Sequence, residues 1–299
     1  ILQILLLTSF FLASCAHNTS QSQSRLATPS IEREIASDQK NNVSTDTRQP
    51  NQAVTEPNEP NESENEGGSS GGNVRKLNIP ANQAEIADRC EKQFTDLPES
   101  YKSMTSDFPI NHRAIKISYN MNHRIPNWVY YNLNRENLMN SCAKRKDKFK
   151  GDPALLVSPI PKELVINENG YKNSGFDRGH MAPSGDFVWD QNINEQTFYM
   201  TNMSPQTAEL NQKTWNKLEE RVRNWACGFG ELKVYTGPII ESNLKRLNSC
   251  VSIPNKFFKV LVANKNKKLV GIAFVYDQND RIGDPYKEKA ISIRKLEEM

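Results

Sequence analysis

The chain has 299 residues, 36% of them hydrophobic and 8% aromatic, and a formal net charge of +3. The length suits one medium domain with additions. The apolar content excludes a chain packed evenly from end to end.

The chain opens on ILQILLLTSFFLAS (Ile1–Ser14), an apolar stretch of signal-peptide length that is too short to span a bilayer as a stable helix. It lacks a starting Met and a basic lead-in, so preceding residues are expected. Leu12-Ala13-Ser14-Cys15 resembles a bacterial lipobox. That resemblance implies cleavage before Cys15 and its lipidation; an ordinary secretory signal with an incidental Cys is the alternative. Residues Ala16 to about Arg75 are rich in Ser, Asn, Gln, Thr, Pro and Glu and carry no apolar periodicity. They cannot bury enough to offset the entropy of ordering, and predict a flexible linker. About 60 such residues reach roughly 40–45 Å, enough to hold a domain off a membrane. Signal and lipobox thus occupy 1–15, the linker 16–80 and the folded domain 81–299. The expected location is periplasmic or cell-surface, anchored to a membrane.

Charge divides at the same boundary. Residues 1–75 hold five Lys/Arg and nine Asp/Glu out of chain totals of 38 and 35, which leaves residues 76–299 at +7. A basic domain favours a polyanionic partner. Besides Cys15 there are Cys90, Cys142, Cys227 and Cys250. An even number in an exported domain suggests two disulfides. Of three possible pairings, Cys227–Cys250 and Cys90–Cys142 are favoured. No CxxC or HxxxH spacing suggests structural zinc.

In the domain, Ile115–Tyr119 alternates as a strand, and Asn127–Leu133 reads as its neighbour after a His-Arg-Ile-Pro turn. Asp152–Ser158 reads as short and extended, and Ile193–Met200 as a short helix. Glu209–Ala226 is the clearest helix, with Trp215, Leu218, Val222 and Trp225 on one stripe and Gly228 and Gly230 at its end. Strands follow at Leu232–Thr236, Phe257–Ala263 and Leu269–Tyr276, the last two joined by a turn at Asn264–Lys267. The chain closes on AISIRKLEEM, a helix-like run without a cap. Strands on both sides of a helical block predict an α+β domain around a mainly antiparallel sheet.

Asp177-Arg178-Gly179-His180 concentrates chemistry in four residues. An imidazole near its ordinary pKa can accept a proton at neutral pH. Arg178 can fork onto phosphate oxygens, and Gly179 permits close approach. Asp177 could anchor the loop or pair with an arginine. A surface loop with an ordinary histidine fits the tetrad equally well. Downstream, Asn211 offers a hard neutral oxygen suited to Mg²⁺, or caps a helix. Glu219 is eight residues on, roughly 12 Å along a helix, too far to share one ion directly. It either contacts a hydrated ion through water or lies on a solvated helix face.

DRGHMAP, then FYMTNMSPQ, then LNQKTWNKLE, in this order and spacing, resemble the DNA/RNA non-specific endonucleases, the ββα-metal or His-Me finger nucleases. The similarity is densest over about Cys142–Gly237. It implies an α+β ββα-metal fold and a Mg²⁺-dependent hydrolase, with Mn²⁺ as a substitute, that cuts phosphodiesters in DNA and RNA. By the resemblance, His180 is the general base and Asn211 the protein ligand of the metal, with Glu219 holding the metal's water shell. Arg178 contacts phosphate or helps place the substrate, Asn202 supports the metal and base geometry, and Arg223 matches another family arginine near the site; all three are the implied substrate-binding residues. RKDKFKGDP resembles the family's R-x-x-x-F-x-x-D stretch, which makes Arg145, or else Lys148, the transition-state cation. DNA and RNA are the implied partners, together with a membrane through the lipid anchor, and a homodimer is compatible. A tethered nucleic-acid-binding protein with weak or lost catalysis is the alternative; a metal phosphodiesterase for small substrates is a third reading.

Overall fold

The computed structural model describes residues 75–156, 160–281 and 286–299. The signal, Cys15 and nearly all of the linker lie outside the described residues.

In chain order the strands are β1 (Phe108–Asn111), β2 (Lys116–Asn120), β3 (Ile125–Asn134), β4 (Asp177–His180), β5 (Met203–Gln206), β6 (Glu231–Ile239), β7 (Lys245–Arg246), β8 (Ser252–Ile253), β9 (Lys256–Lys265), β10 (Lys268–Asp277) and β11 (Ala290–Ile291). Seven of them make one antiparallel sheet in the order β1-β2-β3-β6-β9-β10-β11. Period-two alternation explains why it has an inner face: Val129, Tyr131 and Leu133 of β3, and Phe257, Leu261 and Ala263 of β9, are buried on it. The β9–β10 turn narrows to Asn266-Lys267, both with positive φ (53° and 63°), as a two-residue hairpin with twisted strands requires.

The helices are α1 (Gln83–Lys92), α2 (Glu99–Lys102), α3 (Arg135–Met139), α4 (Gln191–Gln196), α5 (Asn216–Phe229) and α6 (Ile293–Glu297). Leu218, Val222, Trp225 and Ala226 of α5 share one core with the inner face of the sheet. Each such aliphatic side chain contributes about 1.5–3 kcal/mol by leaving water, so Val222→Asp would detach the helix. The first turn, Leu210–Trp215, is a π-helix running straight into α5. Gly230, at φ 87°, ends α5, whereas Gly228 stays inside it.

Three further expectations change. Pro153–Leu155 is a 3₁₀ turn rather than an extended segment, because the Asp152 side chain caps the Ala154 N–H at 2.9 Å. Residues 75–80, expected to end the linker, lie against the domain: Asn78 N–H donates to Ser174 O and its side-chain amide to Asn173 O, both at 2.8 Å. Both expected disulfides are overturned, because Cys90 is bonded to Cys250, 160 residues away. Helix α1 lies beside β7, its Gln83 side chain bracketing the Arg246 backbone, and this brings the two cysteines together. The Cys142 thiol is exposed and free, donating to Trp189 O; Cys227 is buried in α5.

Candidate nuclease site

β4 and β5 pair antiparallel, with Asp177 opposite Gln206, Gly179 opposite Ser204 and His180 opposite Met203. The π turn and α5 follow, completing a ββα unit on the inner side of the large sheet. Gly179 is required by contact: a Cβ there would stand 2.1 Å from Gln206 Oε1. Gln206 is itself fully buried, with no hydrogen-bond partner for its amide.

His180 is 9% exposed and sits in an aromatic corner. Phe198 meets it edge-on at 5.0 Å, and Phe149 lies at 5.6 Å. Its Nε2 is buried without a hydrogen-bond partner. Burial, then the charges of Arg145 and Arg178, hold its pKa well below the ordinary value. Both arginines use the same aromatics as supports, Arg178 over Phe149 at 4.0 Å and Arg145 over Phe198 at 5.3 Å. Arg145 is fixed further by Ser184 Oγ at 3.0 Å and by Asp147 at 2.7–2.8 Å. Lys148 is exposed, so Arg145 is the cation of that stretch placed beside His180.

The other side of the site is polar. Asp177 Oδ2 accepts from the Asn211 amide at 3.0 Å and from Gln212 at 2.8 Å, while its Oδ1 accepts from Arg75 at 2.8 Å. An ionised carboxylate only accepts, so it claims the NH₂ of Asn211 and leaves the amide oxygen for another ligand. Asn211 therefore caps nothing; the Leu210 N–H at the helix start is served by Thr207 Oγ1 instead. Glu219 is 8% exposed, not on a solvated face. It stands 4.0 Å from Nζ of Lys259, which is fully buried over the Trp215 ring. Burial lowers the Lys259 pKa and Glu219 opposes that shift.

Two expected residues have other partners. Asn202 is 0% exposed; its NH₂ donates to Ala182 O and Thr197 O, and its oxygen accepts the Ala182 N–H. With its amide spent on backbone it clamps the exit of β4 and does not face a substrate. Arg223 donates to Asp186 at 3.1 Å, and Asp186 also accepts from Tyr131 OH at 2.7 Å, which ties the loop after the motif to the sheet.

Sequence reasoning did not single out Phe149 or Phe198 as the walls around His180, nor Lys259. The lysine had a signal: it interrupts the inward series Phe257, Leu261, Ala263. It also passed over His112, whose Nε2 lies 2.8 Å from Asp152, a buried carboxylate that takes Thr201 Oγ1 as well.

Among the described residues, no group of three or more His, Cys, Asp or Glu could hold a metal ion. A tightly caged metal such as structural zinc does not fit. A hydrated hard cation fits, because Asn211 offers one oriented neutral oxygen and Glu219, further along the same helical run, a buried carboxylate.

Comparison with known proteins agrees with this geometry. Human mitochondrial endonuclease G is 32% identical over 146 residues, 45% of this chain and 48% of that protein. A nuclease of Nostoc sp. is 37% identical over 137 residues, 46% and 47% of the two chains. Nuclease C1 of Cunninghamella echinulata is 35% identical over 166 residues, 51% and 64% of the two. The chain spans about half the length of the curated relatives it matches, 43% and 52% for the mitochondrial EXOG nucleases of Danio rerio and Xenopus laevis. A chain in the solved EndoG/EndoGI complex superposes with a TM-score of 0.57 at 27% identity, over 68% of this chain and 90% of that one. The family profile described as DNA/RNA non-specific endonuclease matches residues 97–299. With two thirds of its length matched and a ββα unit at the matched motifs, this chain belongs to the DNA/RNA non-specific endonuclease family.

Proposed function

We propose that this protein is a metal-dependent endonuclease that hydrolyses phosphodiester bonds in both DNA and RNA, and that it acts outside the cytoplasm from a lipid anchor at Cys15. The observation that carries the catalytic reading is the buried, low-pKa His180 between Arg145 and Arg178, on the same ββα unit as an Asn211 oriented by Asp177.

Neutral imidazole carries one N–H and one lone pair. The lone pair of the ring takes the proton of the attacking water. The water oxygen bonds to phosphorus as the P–O bond to the leaving oxygen breaks. Arg145 and Arg178 offset the charge that grows on the phosphoryl oxygens. They also hold His180 unprotonated before substrate arrives; an entering phosphate offsets them and raises the basicity of the ring. A bound Mg²⁺, or Mn²⁺ in its place, would be held by Asn211 with Glu219 near its water shell, and supplies positive charge against the phosphate and the leaving group. These contacts address the phosphate backbone and not the base edges, which supports tolerance of sequence and of sugar.

The test is digestion of plasmid DNA and of RNA by the full chain across a metal series and in EDTA. Cleavage of both, abolished by EDTA, is expected, and it should weaken with added salt. Retention of DNA without cleavage at any metal would support the binding-protein alternative and overturn the enzyme reading. Export is supported by the apolar Ile1–Ser14 segment, by the lipobox-like residues before Cys15 and by a disulfide of the kind that persists in oxidising compartments. Labelling of expressing cells with a radioactive fatty acid should mark the wild type and not Cys15→Ala; equal labelling would remove the anchor.

A further inference from the structure

The matched family region begins at residue 97, yet a residue well before it reaches Asp177, the carboxylate that holds the candidate metal ligand. Residues 75–79 run along residues 173–177, the approach to β4. Arg75 Nη1 donates to Asp177 Oδ1 at 2.8 Å. Gly175 has φ 81°, and a Cβ on it would stand 2.4 Å from Lys76 O, so the two backbones are in direct contact. Asn78 bonds twice to residues 173 and 174. Ile79 packs on the cluster that contains Phe176 and Met203. Downstream the segment is fastened again, by Arg89 to Asn248 O and by the Cys90–Cys250 disulfide.

We infer that residues 75–79 form a positioning strap for the metal side of the site, and that Arg75 is a positioning residue acting through Asp177 on Asn211. The inference rests on the reading of Asn211 as the metal ligand. Asp177 has two oxygens with separate duties. One holds the Asn211 and Gln212 amides; the other is occupied by Arg75. A carboxylate free at Oδ1 can pivot about its Cβ–Cγ bond, and the Asn211 amide loses its fixed orientation with it. Arg75 is 42% exposed at its side chain while Asp177 is 9% exposed, so the arginine closes the carboxylate off from water. Partners of this kind, one step removed from a ligand, change metal affinity more than they change chemistry.

The experiment compares full-length wild type, Arg75→Ala, Arg75→Lys, Arg89→Ala and Asn211→Ala. Two quantities are read: the Mg²⁺ concentration for half-maximal cleavage, and Mn²⁺ affinity by electron paramagnetic resonance without nucleic acid. Arg75→Ala should weaken both by about tenfold, with the rate at saturating Mg²⁺ within about twofold of wild type. Arg75→Lys should recover most of the loss, because a single donor suffices at Oδ1. Arg89→Ala, which loosens α1 away from Asp177, should leave both at the wild-type value. If Arg75→Ala matches wild type in both while Asn211→Ala loses both, the strap has no positioning role and the site reading survives. If Arg89→Ala shifts both as much as Arg75→Ala, the effect is general loosening and the specific role falls. If Asn211→Ala also leaves Mn²⁺ affinity and cleavage intact, the site reading itself fails, and the strap inference with it.

Discussion

The two sides of the site are built on opposite principles. On the His180 side the walls are Phe149 and Phe198, the imidazole is buried and no hydrogen bond restrains its Nε2. On the Asn211 side both oxygens of Asp177 have partners, and the carboxylate decides which end of the Asn211 and Gln212 amides faces outward. A base is tuned by removing water, since low dielectric and two cations keep it neutral and ready. A ligand to a hydrated cation is tuned by orientation, since its oxygen must be presented while the surrounding water stays.

The contrast can be broken from either side. His180→Ala should lower kcat/KM by about 10²–10⁴, since no other described side chain in the corner can take the proton; plasmid nicking kinetics with retained circular dichroism check this. Asn211→Ala should lose about 10–100-fold at fixed Mg²⁺ and recover part of it as Mg²⁺ is raised, whereas His180→Ala should recover nothing. Arg178→Ala should lose about tenfold, because Arg145 still offsets charge on the same side.

The smallest effect sharpens the contrast most. His180 accepts protons only when deprotonated, and its folded pKa is depressed, so kcat/KM of the wild type should stay level as pH falls through 6.5 and drop only below it. Phe198→Ala admits water and should move that acid limb upward, toward the ordinary value. The same depression has a stability sign. The unfolded chain binds the proton from about pH 6.5 downward and the folded chain only at lower pH, so stability falls as pH drops through that window. Phe198→Ala should flatten this contribution, as thermal midpoints measured across pH would show.

Much of the site was legible because its parts are local. Arg178 and His180 are two residues apart on one strand, and Asn211 and Glu219 lie on one continuous helical run, so their order and spacing survive in the linear chain. The long strands were legible because alternation reports one buried face, and Asn264–Lys267 carried its turn chemistry in its own side chains. What was hidden depends on approach between distant segments. Cys90 meets Cys250 only because α1 settles beside β7. Arg75 looked like the last residue of a linker because its partner lies 102 positions away. The motif that singles out Asn202 could not show that its amide is spent on backbone.

The π turn at Leu210–Trp215 sets the angular phase between Asn211 and Glu219. An α-helix advances about 100° per residue, and a π turn holds an additional residue in its loop. Asn211 lies inside that wider turn and Glu219 lies beyond it, on the regular helix packed against the sheet. The direction in which Asn211 points is thus uncoupled from the stripe that anchors α5. Deleting one residue of the turn would return it to α-helical winding and swing Asn211 away from Asp177, while Leu218, Glu219 and Val222 kept their places. The extra residue works as a vernier on an otherwise rigid shaft.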